Sequence, residues 1–408
     1  MAMAGQAAAP ARFRTRGQVG ARVAVERWIL GGAPQALLLA GPAHVGKTTL
    51  ALDLAAGLLC AAPDPGDRPC RGCRPCRLVE SGGHQDLHRL APQGRGQQVI
   101  IGKPDDPEPG SVRNLIRELA RLPVEGRRRI AIVEQAHRLN EDAQNALLKT
   151  LEEPPAGAMV ILCADESDRL LPTVRSRVAT LRLGPVSIRA IEGLLGDYGV
   201  EPPLAARLAR LAAGRPGLAL AYAAAPAAVG AREEIARVLL DLLAADRTRR
   251  LVVVRELLVR AAELGRLAEV VVPGTAGAPA APPASPVESL EPVERGEVEE
   301  ANLDATGDAT RAGQRSGETP AERRRAARAL LETWAEVARD LAIVGAGNRA
   351  AVRDPALLDD LDALATRLPP GAAAAFLSRL AELAERLEAN ANPELVVDVL
   401  ALAWPRAA

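Results

Sequence analysis

Ala36-Leu37-Leu38-Leu39-Ala40, then Gly41-Pro42-Ala43-His44-Val45-Gly46-Lys47-Thr48, then an apolar-faced stretch to Leu59 follow one another without a gap. No other part of the chain constrains its fold as much. The first run has the length and character of a buried strand, and Leu50, Leu54 and Leu58 recur at helical spacing. A strand, a glycine-rich loop and a helix in that order turn backbone N–H groups and a helix N-terminus toward one point, the arrangement that cradles phosphates. Lysine is otherwise present only as Lys103 and Lys149, although Lys and Arg together number 51, so Lys47 has escaped a strong bias toward arginine. A compact ammonium reaches β and γ phosphate oxygens where a planar guanidinium is too wide. ATP or ADP is therefore expected at Gly41, Pro42, Ala43, His44, Val45, Gly46, Lys47, Thr48 and Thr49, with Mg²⁺ on the Thr48 hydroxyl and His44 as a spectator.

The chain of 408 residues is long enough for two or three domains. Its 51 basic and 51 acidic side chains balance, and aromatic residues make up 2%, which argues against a protein that grips nucleic acid alone by charge or base stacking. Met1 to Arg16 lacks an apolar core of the signal-peptide kind, and no apolar run reaches membrane-spanning length. A cytoplasmic protein without a membrane partner is expected.

Cys60, Cys70, Cys73 and Cys76 cluster in one stretch, the last three as C-x-x-C-x-x-C. Four thiolates at this spacing close a tetrahedral Zn²⁺ shell with no open position, so a structural zinc is expected; unliganded thiols are the alternative. The run lacks the further Cys-Pro of bacterial ferredoxins, which argues against an iron–sulfur cluster. Cys163 lies in an apolar run and reads as a small buried hydrophobe.

Farther on, Gln97 to Ile101 and Ile130 to Val133 read as strands, and Ser111 to Leu122 as an amphipathic helix. Asn140 N-caps a helix that Pro154-Pro155 stops, and Met159 to Leu162 is a further strand. Arg127-Arg128-Arg129 reads as a solvated turn before its strand. Strands alternating with helices predict an α/β fold with a parallel, doubly wound sheet. From Pro185 onward amphipathic helices rich in Ala, Leu and Arg take over. The expected division is an α/β domain over 1–185 with the cysteine module at 60–76, a short helical domain over 186–228 and a second helical domain over 229–408. Residues 273–319, with hardly any large apolar side chains, are expected to be a disordered loop within the last.

The string Gln144-Asn145-Ala146-Leu147-Leu148-Lys149-Thr150-Leu151-Glu152-Glu153-Pro154-Pro155, then Leu170-Leu171-Pro172-Thr173, then Ser176-Arg177, resembles bacterial DNA polymerase III clamp-loader subunits. The phosphate loop and the four cysteines stand in the same order. Trp334 to Gly347 and Asn390-Ala391-Asn392-Pro393 look like the collar of the delta-prime branch. The resemblance implies an AAA+ module with a zinc insert, a three-helix lid and an all-α collar. It also implies a hetero-pentamer with tau/gamma ATPase subunits and delta, which opens the sliding clamp and places it on primer-template DNA.

Active members of that family carry Asp-Glu after the second strand of the resemblance, where this chain has Glu134-Gln135. An amide takes no proton from an attacking water, so Gln135 removes the usual base, while Glu134 is expected near Mg²⁺. Ala164 and Asp165 stand where a sensor Thr or Asn is expected, and Leu218 where active subunits carry a lid arginine; Arg215 is out of register. Arg177 corresponds to the family's arginine finger, which points into a neighbour's nucleotide site. The sequence therefore fits a delta-prime-type assembly subunit with absent or weak hydrolysis of its own. The alternatives are a catalytically active tau/gamma-like ATPase and a zinc-containing nucleic-acid binder.

Overall fold

The computed structural model describes residues 12–92, 99–105, 107–125, 127–165, 167–269, 319–389 and 391–407. Five strands, β1 Ala36–Ala40, β2 Leu87–Leu90, β3 Arg129–Val133, β4 Ala158–Ala164 and β5 Ala179–Arg182, form one parallel sheet in the order β2-β3-β4-β1-β5. The expected doubly wound sheet is present. β1, β3 and β4 are buried along their whole length, which is why they read as continuous apolar runs rather than alternating ones.

Strand periodicity splits these runs between two cores. Leu37, Leu39, Ile130, Ile132, Met159, Ile161 and Cys163 share one apolar cluster with residues of α1 Val19–Leu30 and α2 Lys47–Leu59. Leu38, Ala131, Val133, Val160 and Leu162 share the other with α4 Val112–Leu119 and α5 Glu141–Glu152, α3 being Arg74–Ser81. Burial pushes the Cys163 thiol up to about 12, in keeping with a hydrophobic role. The expected cap at Asn140 is in place, its Oδ1 accepting from Ala143 N at 2.9 Å, and Ser111 Oγ caps α4 by accepting from Asn114 N at 3.3 Å.

Three readings of the sequence are corrected. Residues 99–101 are not a strand; the sheet's edge is β2, whose middle residues His88 and Arg89 interrupt the apolar run that a strand search seeks. Residues 97 and 98 lie outside the described set. Arg129 is not part of a solvated turn: it opens β3 at 5% exposure and donates to Leu122 O and Glu118 O at 2.9 and 3.1 Å, with Asp86 at 3.7 Å. A buried guanidinium is tolerated here because backbone carbonyls and a carboxylate replace its water. Thr319 is not in a loop but caps the helix that follows. Its Oγ1 accepts from Glu322 N at 3.2 Å, and Glu322 Oε2 accepts from Thr319 N at 2.7 Å. The rest of the loop expected to be disordered, 273–318, lies outside the described residues.

After a short helix, α6 Pro172–Arg175, and β5, the described chain is helical: α7 Ile188–Asp197, α8 Pro202–Leu211, α9 Pro216–Ala224, α10 Pro226–Asp241, α11 Arg247–Glu269, α12 Pro320–Gly345, α13 Leu358–Ala365, α14 Ala372–Glu388 and α15 Pro393–Ala403. One apolar cluster runs from Val186 to Trp404 with no break at residue 228. Trp334, Phe376 and Trp404 meet in it with ring centroids 4.4 to 5.6 Å apart.

A buried charge network ties these helices together. Arg232 of α10, 2% exposed, donates to Glu336 Oε2 of α12 at 2.6 and 3.0 Å and to Asp354 Oδ2 at 3.2 Å. Burial alone would lower the Arg232 pKa, but Glu336, Tyr222 and Asp354 outweigh it and hold the guanidinium above its ordinary value. Arg207 of α8 joins through Glu233 at 2.7 Å and Asp354 at 3.3 Å. Removing one member of such a pair leaves an uncompensated buried charge. Arg232→Ala should accordingly lower unfolding stability by about 3–5 kcal/mol, read from urea melts of the full chain. A change under about 1 kcal/mol would show that the network contributes little.

Candidate nucleotide and metal sites

The phosphate loop leaves the C-terminal end of β1 and enters α2 through Gly46, whose φ of +101° is in the left-handed region that favours glycine. Gly41, at φ +153°, has no room for a Cβ, which would collide with the Leu183 carbonyl oxygen. His44 also takes a positive φ, 63°, and its carbonyl accepts from Gly217 N at 2.9 Å, so the N-terminus of α9 rests on the loop. Burial first, then the charges of Arg215 and Lys47, hold the His44 imidazole below its ordinary pKa against the opposing pull of Asp165.

Lys47 is 7% exposed and turns back into the loop, donating to Gly41 O at 2.8 Å and Pro42 O at 2.6 Å. Its Nζ also lies 2.6 Å from Asp165 Oδ1. Glu134, at the C-terminal end of β3, takes a two-pronged bond from Arg89 of β2, with Nε and Nη2 at 2.9 and 2.6 Å from Oε1. Gln135 sits at φ 48°, a strained setting for a non-glycine residue, and its Oε1 is buried with no partner among the described residues. Leu218 is buried at 6% exposure. Arg215 leans toward α12, with Glu332 and Glu336 each 3.4 Å away.

Arg177 follows α6 and lies at the other end of the sheet. Ala179 is in register with Leu37, so Arg177 stands before the start of β1 while the phosphate loop follows its end. The separation along the strands is about 20 Å at ~3.3 Å per residue. Arg177 Nη2 meets Glu152 Oε1 at 2.5 Å and Nη1 donates to Thr173 O at 2.9 Å, the side chain being 32% exposed. Lys149 is exposed.

The four cysteines come together: the Sγ atoms of Cys60, Cys70, Cys73 and Cys76 all lie within 4.8 Å of one another. Cys60 closes α2, Cys73 N-caps α3 and Cys76 lies in its first turn, where a helix N-terminus favours thiolate. Burial opposes ionisation of Cys70, but the backbone N–H groups of Cys73 and Gly72 and the thiols of Cys60 and Cys73 outweigh it and bring that thiol down to about 7. Burial pushes Cys60 and Cys76 up. An all-sulfur set at this spacing matches the tetrahedral preference of Zn²⁺, which supplies the charge that lets four adjacent thiolates coexist.

Sequence reading missed what anchors this module. Asp53 of α2, 1% exposed, accepts from Thr15 N and Oγ1 at 2.9 and 2.6 Å and pairs with Arg71, which also meets Glu80 at 3.3 Å. The signal was an aspartate on the otherwise apolar helix between Leu50 and Leu54. The pairs Lys47–Asp165 and Arg89–Glu134 had no local signal.

The family described as DNA polymerase III, delta subunit matches residues 28–187. Bacillus subtilis DNA polymerase III subunit delta' is 35% identical over 176 residues, 43% of this chain and 50% of that protein. Over this module the chain is similar to DNA polymerase III clamp-loader subunits. Escherichia coli subunit delta' is 35% identical over 192 residues, 47% of this chain and 55% of that protein, and Salmonella typhimurium subunit tau 32% over 191 residues, 45% and 28%. The chain thus spans about half the length of the delta' relatives it matches. Among the described residues no helix is long and apolar enough to cross a membrane.

Proposed function

We propose that the chain is a delta-prime-type subunit of the DNA polymerase III clamp loader. It completes the loader ring and delivers Arg177 to a neighbouring ATPase site, without hydrolysing ATP itself. The observation that carries the reading is the combination at the two ends of the sheet. At one end β1 runs into a complete phosphate loop, and β3 ends in Glu134, which Arg89 already holds, and Gln135, which has no basic atom for an attacking water. At the other, Arg177 lies far from its own loop and near the surface, where a guanidinium serves another chain.

On this reading residues 1–185 are the AAA+ module, 186–228 the lid and 229–408 the collar, and the protein works in the cytoplasm. Its partners are tau/gamma and delta, with the sliding clamp and primed DNA reached through the complex. Cys60, Cys70, Cys73 and Cys76 hold a structural zinc, and Gly41 to Thr49 hold ATP or ADP with Mg²⁺. A second reading, a tau/gamma-like ATPase, draws on the complete loop and the likeness to tau.

The isolated chain should therefore hydrolyse ATP at background while copurifying with tau/gamma and delta. Steady turnover abolished by Lys47→Ala would favour the second reading. Gln135→Glu alone should recover little, since Asp165 and Leu218 also depart from the active pattern.

A further inference from the structure

The Lys47 ammonium donates to Gly41 O at 2.8 Å and Pro42 O at 2.6 Å and forms an ion pair with Asp165, Oδ1 lying 2.6 Å from Nζ. A phosphate oxygen that approaches this ammonium competes with these three partners. The carboxylate is the acceptor that matters, because it is itself an anion and competes with phosphate for the same charge.

Asp165 is not a wandering surface side chain. It directly follows β4, whose Ala164 is in register with Ala40 and whose carbonyl accepts from Gly41 N at 3.2 Å, so the sheet delivers residue 165 to the mouth of the loop. His137, 5% exposed, holds it from the other side. The Asp165 N–H donates to His137 Nδ1 at 3.2 Å, and His137 Nε2 lies 3.8 Å from Asp165 Oδ2. Glu134 does not take over as counter-ion, because Arg89 already forks onto it.

We propose that Asp165 is a specificity-determining residue of the phosphate loop: an internal counter-ion of Lys47 that lowers the loop's affinity for nucleotide, most strongly for one with a terminal γ-phosphate. The backbone N–H groups still cradle the inner phosphates. Adding the γ-phosphate brings further negative charge to the point where the Asp165 carboxylate stands, and it must first take Lys47 away. This rests on the reading of Gly41 to Thr48 as a phosphate loop.

The test is a titration of the full-length chain with fluorescent ATP and ADP, each with Mg²⁺ and with EDTA. Wild type is compared with Asp165→Asn, Asp165→Ser, Lys47→Ala and the Lys47→Ala/Asp165→Asn double variant. Asp165→Asn should tighten ATP by about tenfold or more, the scale of a close ion pair shielded from water, and ADP by less, with and without Mg²⁺. The gain should vanish in the double variant. Asp165→Ser gives the same reading should the Asn variant fold poorly. Unchanged or weaker ATP binding in both variants overturns the proposal, and a loss seen only with Mg²⁺ makes Asp165 a metal ligand instead. Wild-type binding that Lys47→Ala abolishes upholds the phosphate loop even then, whereas no binding by any variant removes the loop reading and the proposal together.

Discussion

Arg177→Ala in the reconstituted loader should cut clamp- and DNA-stimulated ATP turnover at the adjoining subunit's site by on the order of a thousandfold or more, the range of arginine fingers supplied in trans. The effect is large because a guanidinium brought across an interface neutralises charge that develops on the transferred phosphoryl group, in a site from which water is excluded. The same substitution should leave this chain's fold intact. Arg177 contributes a half-exposed ion pair with Glu152 and a bond to the Thr173 carbonyl, and such surface pairs are worth about 0–1 kcal/mol. Arg177→Lys should rescue poorly, since an ammonium lacks the guanidinium's fork of donors. Normal assembly with wild-type turnover would make Arg177 an ordinary surface residue.

Metal removal should have the other large effect. The purified chain should contain one zinc, and stripping it should unfold the segment from Cys60 to α3, because apparent binding free energies of structural zinc run to about 10–16 kcal/mol in small domains and are part of the folding free energy there. Arg71 lies between Cys70 and Cys73 and pairs with the buried Asp53 of α2, so loss of the module should also loosen the helix that carries Lys47. Cys76→Ser, at a fully buried thiol, should lower zinc content and midpoint temperature together. Zinc-free native protein whose four thiols all react freely with an alkylating reagent would contradict this account.

The parts of the fold that could be read from the sequence are those whose cause is local. β1, the loop and α2 announce themselves by an apolar run, glycines and a helical leucine stripe, and α5 by the Asn140 cap. The cysteine cluster was legible because metal ligation forces short spacings. β2 and β5 were not, because Leu87–Leu90 and Ala179–Arg182 are short, polar in part, and lie at the sheet's edges. Their pairing depends on register between segments far apart in the chain, which no local pattern encodes. α1 was passed over as well, although Ala21, Val25 and Ile29 recur along its buried face. The candidate site divides in the same way. Its loop residues were visible from their sequence, but the counter-ions that decide how they behave, Asp165 for Lys47 and Arg89 for Glu134, arrive from neighbouring strands and become apparent only once the sheet is assembled.

On the proposed reading Arg177, and not this chain's own phosphate loop, drives hydrolysis in the complex. The most direct measurement compares two variants of this subunit, Lys47→Ala and Arg177→Ala, each reconstituted with wild-type tau/gamma, delta and clamp, by steady-state ATP turnover on primed DNA. The account predicts near-wild-type turnover for Lys47→Ala and loss of the adjoining site's turnover for Arg177→Ala. Turnover lost with Lys47→Ala and preserved with Arg177→Ala would contradict it and make the chain a hydrolysing subunit in its own right.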